Sequence, residues 1–180
     1  MLIQTKNNLP VIIRKLSPDD IDNLVSYLHQ LSTETRKRFG PHEFDRKTVL
    51  DFYESSGIHT GYIGLDAETN GIIAYSIIRK GYLEHDSSRL RYCGLIPDAE
   101  TDCTFAPSVA DSWQSLGVGN SLFRFILDEL RSKGIKRIIL WGGVQCNNEK
   151  AVNFYLKHGF RILGQFEYNG WNYDMVLDSI

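Results

Sequence analysis

Residues Gln114 to Gly119 read Gln-Ser-Leu-Gly-Val-Gly and run directly into an amphipathic stretch. That order suits the binding of a diphosphate. Glycines let backbone N–H groups approach an anion, and at a helix N-terminus those groups lack intrahelical acceptors while the dipole favours negative charge. Further along, residues Asn148 to Phe160 read Asn-Glu-Lys-Ala-Val-Asn-Phe-Tyr-Leu-Lys-His-Gly-Phe. Asn148 and Tyr155 stand at opposite ends of a short helix, a spacing suited to holding a cofactor and donating a proton.

Two better-known anion loops fail on their own residues. The dinucleotide pattern G-x-G-x-x-G needs a third glycine where Leu122 stands, and the phosphate loop needs a Gly-Lys-Ser/Thr that does not follow. A turn without a lysine holds its anion through N–H groups alone. That favours a diphosphate-bearing carrier such as coenzyme A over a nucleotide to be hydrolysed. Taken singly, the glycines describe a tight turn, Asn148 a helix cap and Tyr155 a half-buried aromatic.

Taken together, the two segments resemble motifs of the GNAT superfamily of N-acetyltransferases. The family pattern Gln/Arg-x-x-Gly-x-Gly/Ala is met by Gln114, Gly117 and Gly119. The pattern Asn-x-x-Ala-x-x-Phe/Leu-Tyr-x-Lys-x-Gly-Phe is met by Asn148, Ala151, Phe154, Tyr155, Lys157, Gly159 and Phe160. The resemblance covers residues 11–178 and implies one N-acetyltransferase domain with an α/β fold, a splayed mixed sheet flanked by helices. It also implies acetyl-CoA as co-substrate. Backbone groups near Val109 would bind the thioester and pantetheine. The amides of Ser115, Leu116, Gly117, Val118, Gly119 and Asn120 would cradle the diphosphate, although Leu116 stands where the family commonly has a small or basic residue. Asn148 would contact the pantetheine arm, and Tyr155 would protonate the departing thiolate.

The chemistry expected is direct attack of an amine on the acetyl carbonyl through a tetrahedral intermediate, its oxyanion met by an N–H near Val109. The leaving thiol has a pKa of about 8.5, so a donor hydroxyl helps it depart. Relatives often carry a glutamate where Thr104 aligns. Thr104 cannot take a proton from an ammonium, which leaves Glu100 and Asp102 just upstream, with Asp102 the better candidate base on the strand face of Thr104. Cys146 has no His or Asp partner nearby in sequence and reads as inert.

The segment Leu31 to Phe39 resembles one found in a subset of bacterial GNAT proteins, in a region that lines the acceptor side. Arg36, Arg38 and His42 are the candidates to bind an anionic acceptor. The competing expectation is a solvated basic turn paired with Glu34 and Asp45.

The elements that must position these residues follow from patterning. Val11–Leu16 reads as a strand, and Ser17-Pro18 opens a helix whose buried face is Ile21, Leu24, Val25, Leu28 and Leu31. A loop over residues 32–42 and a second helix from about Asp45 to Glu54 come next. Gly61–Leu65 and Gly71–Ile78 form a hairpin, residues 80–98 carry no assignable element, and Asp102–Val109 reads as a strand broken at Pro107. The helix after the glycine turn ends at Gly134, Ile138–Trp141 is a buried strand, and a closing hairpin turns at Asn169-Gly170. This order argues for an α+β or mixed α/β sheet.

The composition of 180 residues, 42% hydrophobic and 23% charged with net charge −2, is that of one globular domain without a nucleic-acid or membrane footprint. Three cysteines without Cys-x-x-Cys imply no disulfide framework and no metal site. The run Pro10–Ile13 is too short for a signal peptide or a membrane span, so the expected location is the cytoplasm. The expected partner is a small-molecule or peptide amine, and a homodimer remains open. The rival function is a non-catalytic acyl-CoA-binding module.

Overall fold

In a computed structural model, residues 1–54 and 57–180 are described, and they divide into two compact units. The first comprises residues 1–78 and 106–129, the second residues 79–105 and 130–180. The strands make up a mixed sheet, nine of them among the described residues.

In the first unit, β1 (Leu2–Gln4) pairs antiparallel with β2 (Pro10–Lys15), and β2 with β3 (His59–Asp66). Next in order come β4 (Ile72–Lys80), of which residues 72–78 belong to this unit, and β5 (Asp102–Val109), of which residues 106–109 do. The β3–β4 turn is held by Asp66, whose carboxylate accepts from Glu68 N–H at 3.1 Å and Thr69 Oγ1 at 2.7 Å. Helix α1 (Ile21–Gln30) is entered through a single 3-10 turn, Pro18–Asp20, with a capping box between Ser17 and Asp20. Asp20 also takes a bidentate pair from Arg14, which with the Ser17 bonds holds its carboxyl down at about 2. Leu24, Leu28, Val49, Ile63 and Ile126 are among the wholly buried side chains of this unit. They come from α1, α3 (Arg46–Glu54), β3 and α5 (Val118–Ser132).

In the second unit, β5 pairs in parallel with β6 (Arg137–Leu140), and β6 pairs antiparallel with β9 (Trp171–Asp178). β7 (Val144–Gln145) and β8 (Arg161–Glu167) also pair with β9. Leu90, Leu95, Ile139 and Val176 form a core cluster here. Helix α6 (Glu149–Lys157) ends at Gly159, whose φ of +85° is the left-handed exit such a stop requires.

Three expectations are corrected. Residues 32–42 are not all loop: Thr33–Arg38 forms α2, with Ser32 as its cap. The unassigned stretch holds α4 (Ser87–Tyr92) behind a 3-10 turn. Strand β5 is not broken at Pro107. Its ladder to β6 ends at Phe105–Leu140, and Pro107, two residues on, would turn its missing N–H to that same side, beyond the last bond. The end of that ladder also leaves Ala106–Val109 without a β6 register partner.

Candidate functional site

In the first unit the glycine turn has the backbone an anion site needs. Ser115 at φ +65° and Gly117 at φ +97° are both left-handed, and for a serine that conformation is costly enough to mark the turn. A Cβ on Gly117 would meet no atom within 4 Å, so this face of the turn is open. The ladder of α5 starts with Ser121 N–H donating to Gly117 C=O at 3.1 Å. The N–H groups of Val118 and Gly119 precede it and have no acceptor inside the helix. Leu116 C=O accepts from Lys6 N–H at 3.0 Å, which braces the turn from the N-terminal segment.

The approach to the turn is tied down as well. Gln114 Nε2 donates to Val109 C=O at 3.1 Å, and Ala110 N–H to Ile73 C=O at 2.8 Å. Between them lies Asp111, which the sequence did not single out. Its carboxylate accepts from Ser32 N–H at 3.0 Å, Ser32 Oγ at 2.9 Å and Thr35 Oγ1 at 2.7 Å. These bonds, the Ser32 amide foremost, hold the Asp111 carboxyl below the usual carboxylate range. A cavity of about 300 Å³ adjoins it, lined by Tyr27, Leu31, Ile73, Ala110, Asp111 and Trp113 among others.

Arg36 and residues 39–44 line a second, open cavity of about 510 Å³, with Phe39, His42, Glu43 and Phe44 in its walls. Arg36 and His42 therefore meet at one site. Arg38 is not in the lining and instead pairs with Glu34 at 2.9 Å, as the solvated alternative had it. Arg36 Nε donates to Leu31 C=O at 2.9 Å, which leaves the rest of its guanidinium to a ligand. His42 Nδ1 faces the Glu43 carbonyl at 2.7 Å and so carries the proton, and Nε2 accepts from the Tyr75 hydroxyl at 3.1 Å. Tyr75 is hydrogen-bonded in turn to the Tyr53 hydroxyl. Burial pushes the His42 pKa down, against a smaller upward pull from the Glu43 carbonyl, so the ring is neutral at physiological pH. Tyr75 reads in sequence as one more core residue of a strand, and nothing in its spacing distinguishes it.

The second unit holds the remaining candidates. Asn148 caps α6, its Oδ1 accepting from Ala151 N–H at 3.3 Å. Tyr155 is 7% exposed, packed edge-on to Phe154 and tilted against Phe160 at centroid distances of 5.4 and 5.3 Å. Burial raises its pKa well above the ordinary phenol value, so the hydroxyl is protonated throughout the physiological range. Asp102, 1% exposed, is bound by Arg137 through both oxygens and by Asp98 N–H at 2.8 Å. Thr104 donates to Gly81 C=O at 2.9 Å, and Glu100 pairs with Lys80 at 2.7 Å. Asp102 and Glu100 are thus each paired with a cation, and Thr104 carries no carboxylate. The Cys103 thiol is pushed up by burial and is inert. Among the described residues no cluster of His, Cys, Asp and Glu could hold a metal ion, and no helix is long and apolar enough to cross a membrane.

The model of the acetyltransferase (GNAT) family matches residues 26–160. This chain belongs to the GNAT acetyltransferase family. Solved structures agree in fold. The GNAT domain of PAT from S. lividans superposes with a TM-score of 0.75 at 20% identity, covering 99% of this chain and 96% of that one. A GNAT acetyltransferase from Streptococcus pneumoniae gives 0.71 at 21% identity, with 94% and 99% covered. Spermidine N-acetyltransferase from Vibrio cholerae, in complex with CoA and spermine, gives 0.67 at 18% identity, with 94% and 95% covered. No curated protein matches the chain in sequence. GNAT proteins use acetyl-CoA, and the mixed sheet of this chain is the family's fold.

Proposed function

We propose that residues 11–178 act as one cytoplasmic acetyltransferase domain that moves acetyl from acetyl-CoA to a primary amine of a small molecule or peptide. The observation that carries this is the turn at Ser115 and Gly117, left-handed at both residues and open in front of α5. Its N–H groups take the diphosphate. The strand end at Val109, past the last β6 partner, offers its N–H to the thioester, its C=O being held by Gln114. Asn148 keeps its Nδ2 for the pantetheine amides, since Oδ1 serves the helix cap.

The amine attacks the thioester carbonyl, the C–S bond breaks, and the proton released by the amine ends on the CoA thiol. Tyr155 supplies a hydrogen bond to the sulfur as charge develops. Its phenol is a weaker acid than the thiol of about 8.5, so it keeps its own proton once the product has formed. Asp102, engaged by Arg137, takes no part in the proton transfer. Arg36 in the cavity of the acceptor arm favours an amine that also bears an anionic group, in contrast to the polyamine of the Vibrio cholerae relative.

The locked Thr104 and Asp102 side chains keep the rival reading in play, a module that binds acyl-CoA without turning it over. Thiol release from acetyl-CoA with a panel of amino acids, their amides, polyamines and lysine peptides separates the two. Turnover on an anion-bearing amine is expected. Tight acetyl-CoA binding without turnover on any amine would select the module.

A further inference from the structure

Helix α2 spans only Thr33–Arg38, and it contains no buried residue. A helix so short does not hold itself together in water, since one turn's nucleation cost is spread over very few bonds. The exposed Glu34–Arg38 pair within it adds little, so its order comes chiefly from its ends. At the N-terminus Ser32 Oγ accepts from Thr35 N–H at 3.2 Å, while Ser32 and Thr35 together direct the hydrogen bonds of 3.0, 2.9 and 2.7 Å to Asp111 described above. Two of these donors are side chains of α2 and its cap, and the acceptor is a full carboxylate. Asp111 itself sits inside a closed loop. Gln114 Nε2 bonds back to Val109 C=O, and Trp113 N–H bonds Ala110 C=O at 2.8 Å. These bonds close residues 109–114 into a loop that runs directly into the glycine turn.

We propose that Asp111 is a positioning residue that couples occupancy of the glycine turn to the order of α2, and through it to Arg36 in the acceptor cavity. This rests on the reading of the turn as the CoA site. The two-state element is α2, ordered when its cap is held by Asp111 and frayed when it is not. Ligand at residues 115–119 fixes residues 109–114, Asp111 holds Ser32 and Thr35, and Arg36 one turn later faces the cavity. Acetyl-CoA thus prepares the acceptor arm before the amine arrives. Because coupling free energies are reciprocal, an acceptor bound at the arm tightens acetyl-CoA by the same factor.

Amide hydrogen exchange with CoA as the probe tests this without knowing the acceptor. In the native protein, saturating CoA is expected to slow exchange over both 115–120 and 32–38. In Asp111→Ala the slowing over 115–120 persists, while 32–38 exchanges fast with or without CoA. Thr35→Val, which leaves the donor loop untouched, lowers the CoA response of 32–38 in the same way. Protection of β2 and β3 reports that each variant is folded. Asp111→Glu, which retains the carboxylate, recovers part of the response. A CoA response over 32–38 that is equal in Thr35→Val and the native protein overturns the coupling. So does a native protein in which CoA protects 115–120 and leaves 32–38 unchanged. If CoA protects neither segment, the assignment of the turn itself fails.

Discussion

The Arg137 guanidinium donates to both carboxylate oxygens of Asp102, Nε to Oδ1 at 2.9 Å and Nη2 to Oδ2 at 2.7 Å. The two residues are register partners across the parallel β5–β6 ladder, so the pair is built into the sheet. A carboxylate held this way would have to give up its ion pair to accept a proton from substrate. Asp102→Asn is accordingly expected to lower stability by about 2–3 kcal/mol, less than a fully buried pair would cost because the arginine is partly solvated. The pH dependence of kcat should stay unchanged in that variant, measured at a temperature where it is folded. A shifted acidic limb with unaltered melting temperature would restore Asp102 as the base.

Tyr155→Phe removes the hydroxyl and retains the ring that packs on Phe154 and Phe160. Expected is a fall in kcat of about 10²-fold, as for the loss of one hydrogen bond made to charge that develops in the transition state, with acetyl-CoA affinity within a factor of about two. Steady-state rates with acetyl-CoA and direct titration with CoA separate the two effects. An unchanged kcat removes Tyr155 from the chemistry.

The same burial has a consequence for stability. Tyr155, Tyr53 and Tyr27 all have folded pKa values raised by desolvation, and Tyr75 is likewise raised. A group whose folded pKa lies above its unfolded value stabilises the fold fully below the unfolded value of about 10, and that stabilisation is lost as pH rises through the folded one. Urea denaturation should show stability falling gently from about pH 8.5, as the unfolded chain releases the Cys103 proton, and more steeply above about pH 10, with each tyrosine contributing up to about 1.4 kcal/mol per pH unit. Tyr155→Phe should reduce that slope by one tyrosine's share. An identical slope in the variant would mean that Tyr155 ionises in the folded state as freely as in the unfolded chain.

The elements that bear the two motifs were legible because their signals are local. Gly117 before α5, Asn148 as cap and Gly159 as stop each act within a turn of their own helix. What escaped was held by partners far along the chain. Helix α2 owes its order to Asp111, a residue that looks like any loop acid until Ser32 and Thr35 are seen beside it. Tyr75 carries a hydrogen bond to His42 that no periodicity announces. The ion pair of Asp102 escaped for the same reason: alternation put it on the strand face of Thr104, and only tertiary structure supplied Arg137.

Gly117 gives a direct test of the turn. Its φ of +97° penalises any side chain by about 1 kcal/mol, while the space in front of it is empty. Gly117→Ala should fold with a slightly lower melting temperature and bind CoA within about tenfold of the native protein. Gly117→Glu should fold comparably and lose CoA binding, because its carboxylate faces the diphosphate. Isothermal titration against CoA, with helical content checked by circular dichroism, distinguishes the cases. Undiminished binding by the glutamate variant would move the diphosphate elsewhere.

Arg36 and Arg38 lie two residues apart on α2 and should behave differently. Arg36 lines the cavity of about 510 Å³ with His42, while Arg38 is committed to Glu34 on the exposed side. If the acceptor carries an anion, Arg36→Gln deletes a charge-assisted contact of about 1.5–3 kcal/mol, which corresponds to a rise in KM of roughly 10- to 100-fold with kcat little changed. Arg38→Gln should alter KM by less than about twofold, since an exposed i,i+4 pair contributes little. The discriminating comparison is an amino acid against its amide. The Arg36 variant should lose its preference for the free carboxylate, because the group that recognised the charge is gone. Equal loss on both acceptors would assign Arg36 to holding the arm together through Leu31 C=O.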